Sequence, residues 1–310
     1  MRRRGLQALL AAALLVVAGV LAAGCGTATG AASGALDVVA STSFLADIAQ
    51  NVAGQRFQVQ ALIPRGTDPH AFEPTPSDLK AVAGADLVII NGGGLEGTLL
   101  TTLQNAIGSS TIVAASAGLT SRSPKPGEPA LAAGETDPHF WLDPELVKTY
   151  VMNIEAAFSK ADPAGATTYK ANAAAYDKRL TALDAWIRQQ VAQIPAADRK
   201  LVMDHASQGY FADRYGFSIA GTVLPSATTG DTPTARQLTD LVKTIRAVRV
   251  RAIFVDATEN PQLAQQIGAE TGVKVVTDLL DHSLTAPGGP APTYIDLMKY
   301  DTRLIVEALK

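Results

Sequence analysis

The sequence predicts an α/β protein of two lobes, each a mostly parallel sheet flanked by helices, joined by one long rigid helix. Three observations carry that prediction. Short β-branched runs bounded by turn residues alternate with stretches of helical apolar spacing, the pattern of parallel strand–helix–strand units. The alternation restarts in the second half with similar segments but no fixed-period repeat. Between the halves lies one amphipathic segment longer than any other, in a chain whose 310 residues suit about two domains of ordinary size.

The N-terminus reads as a leader, residues 1–24. MRRRG is a positive n-region, LQALLAAALLVVAGVL an apolar h-region, and the small residues AAG precede Cys25. That order resembles a bacterial lipoprotein signal, in which Cys25 becomes the acylated N-terminus. The alternatives are an ordinary secretory signal or an uncleaved anchor. Cys25 is the only cysteine, so no intrachain disulfide is available. Acyl chains hold a protein at a membrane surface without spanning it. Residues 25–35 then read as a flexible tether of Gly, Ala, Ser and Thr behind that cysteine. Without Arg2, Arg3 and Arg4 the chain has 23 basic against 29 acidic residues, a net −6, and it carries no basic run interleaved with aromatics. Nucleic acid is therefore excluded as a partner.

In the N-terminal lobe, 36–161, the strands are expected in LDVVAST, FQVQALI, ADLVIIN and TIVAAS. SFLADIAQNVA and PSDLKAVAGA have the starts and spacing of helices. The segment 121–135, rich in Pro, Gly and Ala, is expected to be exposed. The linking helix, 162–195, opens with Asp162 as an N-cap and Pro163 at the first helical position, and Pro195 ends it. Its apolar residues from Tyr169 to Ile194 recur at three- and four-residue spacing along one face. Such a strut limits hinge opening. The C-terminal lobe, 196–310, repeats the recipe with strands in KLVMDH, FSIAGTVL, RAIFVDAT and VKVVTDLL, and helices in PTARQLTDLVKTIRAVR and NPQLAQQIGAETG.

The chain has only four histidines, and two of them end copies of the same tetrapeptide, TDPH, at His70 and His139. His205 ends the expected strand KLVMDH and His282 follows VKVVTDLL. Each sits beyond the carboxyl end of an expected strand, the edge where open parallel sheets bind ligands. Proline before each of the first two stiffens the loop and fixes the approach of the next side chain. Four imidazoles gathered in a cleft suit zinc or another late first-row ion, whereas a lone loop histidine is ordinarily a surface residue. Asp68, Asp137 and Asp143 are candidates either to orient histidines or to cap turns. Phe72, Phe140 and Trp141 are expected to pack the cleft walls.

GTDPHAFEPTPSDLKAV, NGGGLEGTL, TDPHFWLDPELV, HASQGYFADRYGF and TYIDLMKYDTRLIVEAL occur in this order and cover nearly all of residues 36–310. Together they resemble the zinc/manganese solute-binding lipoproteins of bacterial ABC importers. The resemblance implies two α/β lobes bridged by a long helix, with a metal ion in the cleft. It implies partnership with a permease and its ATPase, and an extracytoplasmic site anchored by lipid to the cell membrane. It carries three ligands onto His70, His139 and His205. The fourth position falls on His282 or on the adjacent Asp281, and His282 is preferred. The His-rich loop that some members carry at 121–135 is missing here. Three or four imidazoles favour Zn(II) as the bound ion over Mn(II), whose sites lean towards carboxylate oxygen.

Other readings are weaker. Gly92-Gly93-Gly94-Leu95-Glu96-Gly97 matches a dinucleotide fingerprint, but the acidic partner about 20 residues on is absent. A tight strand-to-helix turn explains it better. A metal-dependent hydrolase needs an open coordination position and a general base. Glu73 and Glu259 lie near candidate loops, but there is no HExxH and a four-ligand shell excludes activated water. An adhesin-like surface lipoprotein is the remaining alternative. The sequence therefore reads as a receptor and not as an enzyme.

Overall fold

Three small or β-branched residues in a row, Val38, Val39 and Ala40, form a strand buried on both faces. The computed structural model describes residues 35–310. The leader, Cys25 and the tether as far as residue 34 lie outside the described residues. After β1 (Val38–Ala40) come α1 (Ser43–Ala53), β2 (Val59–Ala61), α2 (Pro76–Gly84), β3 (Leu87–Ile90), α3 (Gly97–Ala106) and β4 (Thr111–Ala114). These four strands are parallel, in the order β2-β1-β3-β4. The chain then continues through α4 (Pro144–Ala161) and α5 (Ala166–Val191). The second half is β5 (Lys200–Met203), α6 (Gly209–Tyr215), β6 (Ser218–Thr222), α7 (Ala235–Val248), β7 (Ala252–Asp256), α8 (Gln262–Thr271), β8 (Lys274–Leu279) and α9 (Tyr294–Leu309). Its sheet is again parallel and has the same topology, β6-β5-β7-β8. Each strand expected from the sequence is present.

Local chemistry sets where the helices begin. Thr42 caps α1 by accepting from the Leu45 amide. Thr75 with Asp78, and Thr234 with Gln237, form reciprocal capping boxes on α2 and α7. The long helix departs from expectation at its start. Asp162 does not cap it. Its carboxylate instead accepts from Arg56 Nε at 2.8 Å and from the Tyr169 hydroxyl at 2.6 Å, and these bonds hold its pKa down. Pro163 opens a single 3₁₀ turn, and α5 proper runs for 26 residues, about 39 Å at 1.5 Å per residue. The apolar face read from Tyr169 to Ile194 is buried at every position.

That face belongs to a core shared by both halves. Val38, Ala40, Leu87 and Ile89 point from the first sheet, and Leu201, Met203, Ala252 and Phe254 from the second, into one central layer with α1, α4, α5 and α9. The alternate residues Val39, Val88 and Ile90 pack outward against Val82, Leu99 and Leu103. Val202, Ile253 and Val255 do the same against α7. Ala35–Lys310 is accordingly one compact unit, with α5 touching α1 of one half and α9 of the other. Among the described residues no helix is long and apolar enough to cross a membrane.

The shared core predicts one cooperative thermal transition for the folded body. Ile187→Ala, at a fully buried position of α5, should lower stability by about 2–5 kcal/mol and shift that transition as a unit. Two separate calorimetric transitions, only one of them moved by the substitution, would contradict the fused core.

Candidate metal centre

All four histidines lie beyond carboxyl ends of strands: His70 after β2, His139 after β4, His205 after β5 and His282 after β8. The fold brings them together. Every pair of imidazole rings has centroids 5.0–5.7 Å apart. One nitrogen from each ring lies within 4.8 Å of those of the others. His139, His205 and His282 are buried, while His70 is half-buried.

The TDPH repeat is a turn that aims its last residue. In the first copy the His70 amide donates to Asp68 Oδ1 at 2.9 Å; in the second, the His139 amide donates to Asp137 Oδ1 at 3.0 Å. The copies then diverge. Asp137 Oδ1 also lies 2.8 Å from His139 Nδ1 and so holds the ring. Asp68 turns its other oxygen to the Thr229 hydroxyl at 2.6 Å, and neither ring nitrogen of His70 has a hydrogen-bond partner. Asp143 takes the capping role expected of such residues: it caps α4 by accepting from the Glu145 amide.

Two further carboxylates repeat the Asp137 arrangement. Asp204 Oδ1 accepts from the His205 amide at 2.8 Å and lies 3.1 Å from its Nδ1. Asp256 Oδ2 takes the amide of His282 at 3.2 Å and faces its Nδ1 at 3.3 Å. With Nδ1–H given to an aspartate, each ring presents the Nε2 lone pair inward. His139 Nε2 and His282 Nε2 are 3.2 Å apart, and His205 Nε2 has no hydrogen-bond partner. Two lone pairs facing at that distance require a proton or a cation between them. Zn–N bonds of 2.0–2.1 Å in a tetrahedron would set nitrogens about 3.3–3.4 Å apart. Neither Asp204 nor Asp256 is among the aspartates the sequence points to, although Asp204 is adjacent to His205. Asp256 ends β7 and gave no local signal.

Asp281 is directed elsewhere. Its carboxylate accepts from Ser207 Oγ at 2.8 Å and Gln208 Nε2 at 2.6 Å, and its carbonyl accepts from Trp141 Nε1 at 2.7 Å. Trp141 is buried, stacks on Phe44 at 4.5 Å and lies 5.1 Å from the His139 ring, a wall of the site. Phe140 packs on Tyr210 at 4.9 Å, and Phe72 lies against the outer core of the first half. Behind His139, Asn91 Nδ2 donates to the Pro138 carbonyl at 3.0 Å. The glycine run is the expected tight turn, with Gly92, Gly93 and Gly94 at φ 79°, 65° and 101°. The buried Glu96 carboxylate takes the amides of Asn91 and Gly92, at 2.7 and 3.0 Å, that a bound phosphate would need. A side chain at Gly93 would meet Phe140 at 2.5 Å.

The segment 121–135 departs in part from its expected exposure. Its tip, Lys125 to Gly127, is exposed, but Arg122 is drawn in. Arg122 pairs with Glu128 at 2.6 Å and Asp213 at 2.9 Å, and lies 3.8 Å from Asp137.

Burial and mutual repulsion split the four imidazoles. Burial, reinforced by His282 and His205, pushes His70 and His139 well below the usual histidine range. Burial also opposes charge on His282, but the Asp256 carboxylate outweighs it and lifts His282 to about 9. His205 is raised in the same way, Asp204 overcoming burial.

The ZnuA family, described as zinc-uptake complex component A, periplasmic, matches residues 38–308. The manganese-binding lipoprotein MntA of Halalkalibacterium halodurans is 33% identical over 302 residues, covering 96% of this chain and 97% of that protein. The iron-binding protein YfeA of Yersinia pestis is 33% identical over 261 residues, 84% of this chain and 82% of its own. In structure, the periplasmic zinc-binding protein TroA of Treponema pallidum superposes with a TM-score of 0.80 at 27% identity, over 89% of this chain and 99% of that one.

Histidine NMR on the metal-free protein tests the electrostatics. His282 should stay charged until about pH 9, so the stability it adds is complete below its unfolded value near 6.5 and is lost as pH rises to about 9. His70 and His139 should remain neutral on acidification through 6.5, and Asp256→Asn should bring His282 down. A His282 midpoint near 6.5 in the intact protein would contradict the Asp256 pairing.

Proposed function

Because the chain belongs to the ZnuA family of zinc-uptake component A proteins, we propose that it is the metal-binding receptor of an ABC importer and that its cargo is Zn(II). One observation carries the reading: four imidazoles converge from both halves of the fold within 4.8 Å, three of them oriented by aspartates. His70, His139, His205 and His282 are the ligands in this reading. Asp281 is left out because Ser207 and Gln208 already engage both its oxygens.

The charges fit a dication. Neutral imidazoles bring no charge of their own, and a buried +2 ion needs compensation. Asp137, Asp204 and Asp256 supply it one bond away, through the Nδ1 contacts that also fix the rings. Relatives named for manganese, iron and zinc point to a divalent transition metal. The all-nitrogen donor set favours zinc within that class, since manganese leans towards oxygen. Four protein ligands also fill a tetrahedral shell and leave no position for the activated water of a hydrolase. The activity is capture and hand-over, without turnover.

The remaining assignments extend the same reading. Residues 1–24 form the signal, Cys25 carries the lipid and 25–35 tether the body to the extracytoplasmic face of the membrane. The halves 36–161 and 196–310 flank the linking segment 162–195, and an ABC permease with its ATPase receives the ion. The core shared through α5 favours a small change of shape on binding over a wide hinge.

The test is a titration of tag-free, metal-free protein with Zn(II) and Mn(II) against competing chelators. One tight zinc site is expected, with weaker manganese binding. His205→Ala and His282→Ala should each abolish tight binding, while Asp281→Asn should retain it. Tight manganese binding with weak zinc would overturn the choice of ion; loss of the site in Asp281→Asn but not in His282→Ala would overturn the fourth ligand.

Protons compete with the ion for the same lone pairs, and His282 must give up a proton it holds until about pH 9, so zinc affinity should fall as pH is lowered below about 9. Zinc affinity measured by chelator competition that stayed flat down to about pH 5 would contradict an imidazole site.

A further inference from the structure

The two TDPH turns are the same in sequence and differ in what holds them. Asp137 secures both the backbone and the ring of His139. Asp68 secures only the backbone of His70, and its free oxygen is taken by Thr229, which follows β6 in the other half of the molecule. His70 is the half-buried member of the cluster, and its ring has no hydrogen bond at either nitrogen. Its position therefore depends on a contact across the cleft.

Thr229 sits on a short segment built to make that contact. Ser226, buried to 1% exposure, donates to Glu135 Oε1 at 2.6 Å, and the Ala227 amide donates to Glu135 Oε2 at 3.3 Å. Glu135 immediately precedes the second TDPH. The Ser226 carbonyl in turn accepts from the Ala206 amide at 2.9 Å, next to His205. The Thr228 amide closes the turn on Ser226 Oγ at 3.1 Å. Residues 226–229 thus grip both histidine loops of the first half and are fastened to the third histidine on their own side.

We propose that His70 is the exchangeable ligand of the centre, last to bind the ion and first to leave it, and that Thr229 is the positioning residue that latches it through Asp68. The inference rests on the metal-receptor reading. His139, His205 and His282 are set in place by aspartates before an ion arrives and form a three-nitrogen cradle. His70 completes the shell from the more exposed side. Release begins when the Thr229–Asp68 bond opens and the His70 ring swings out, on a loop whose start stays fastened to the other half by the Gly66 amide on Ser283 Oγ and by Arg65 on the Thr285 carbonyl. A receptor that must hold its cargo and then give it up gains from having one weakly held ligand on an otherwise rigid site.

The experiment is the rate of Zn(II) loss from the loaded full chain to an excess of chelator. Thr229→Val, isosteric but unable to donate, should release zinc roughly tenfold faster, the size a hydrogen bond to a charged acceptor carries. Thr229→Ala should match it, and Thr229→Ser, which restores the hydroxyl, should return the rate towards that of the wild type. A purely structural role would not give that rescue. The visible spectrum of the Co(II)-loaded Thr229→Val protein should keep its four-coordinate band, because the ligand set is unchanged. Thr229→Val releasing zinc at the wild-type rate, or Thr229→Ser releasing as fast as Thr229→Val, would overturn the latch and leave the receptor intact. Failure of the wild-type chain to bind zinc at all would overturn the receptor and the latch together.

Discussion

The structure depends on the crowding of four imidazole nitrogens in a nearly dry space. Buried polar atoms need partners, and at Nδ1 three of these rings have one: Asp137, Asp204 or Asp256. On the inner side His139 Nε2 faces His282 Nε2, and His205 Nε2 and both nitrogens of His70 have no hydrogen-bond partner. A divalent cation would satisfy all four lone pairs at once and replace the competing pushes that lower His70 and His139 and raise His205 and His282. Without that ion Asp204 and Asp256 raise His205 and His282, and with it the three carboxylates would balance a dication.

Parallel topology is what makes the convergence affordable in geometry. Two sheets of the same strand order each deliver loops at their carboxyl edge, and the helices of their inner faces merge into one core. Beside the site, polar contacts bind the halves again. The Leu284 amide donates to Ser43 Oγ at 3.0 Å, the Gly66 amide to Ser283 Oγ at 2.7 Å and the Tyr294 amide to Asp47 at 3.0 Å. In the proposed reading, exchange of the ion falls to the loops and not to the body of the molecule, and His70 has the loop with the least hold on its ring.

Much of this was legible in the sequence because it is local. Strands announced themselves by β-branched runs between turns, and the face of α5 by its spacing. The histidines declared themselves by rarity, by the TDPH repeat and by their place after strands. What escaped was non-local. Asp256 orients His282 from the end of a neighbouring strand, 26 positions earlier in sequence. Asp162 reads as a cap, yet Arg56 and Tyr169 draw it away, and Arg122 pulls a segment that reads as exposed onto Asp213. The helices α4 and α9 begin within the stretches TDPHFWLDPELV and TYIDLMKYDTRLIVEAL and are not among the helices the sequence spacing predicts. Glu96 looked like part of a phosphate loop, and its own carboxylate turned out to fill that loop's amides.

The central claim is a closed shell of four imidazoles around zinc, and X-ray absorption at the zinc edge of the loaded protein measures it most directly. The account predicts a single shell of four nitrogen neighbours at about 2.0 Å, with outer-shell scattering that requires four imidazole rings. A shell containing carboxylate oxygen or water, or one fitted by three rings or fewer, would contradict it.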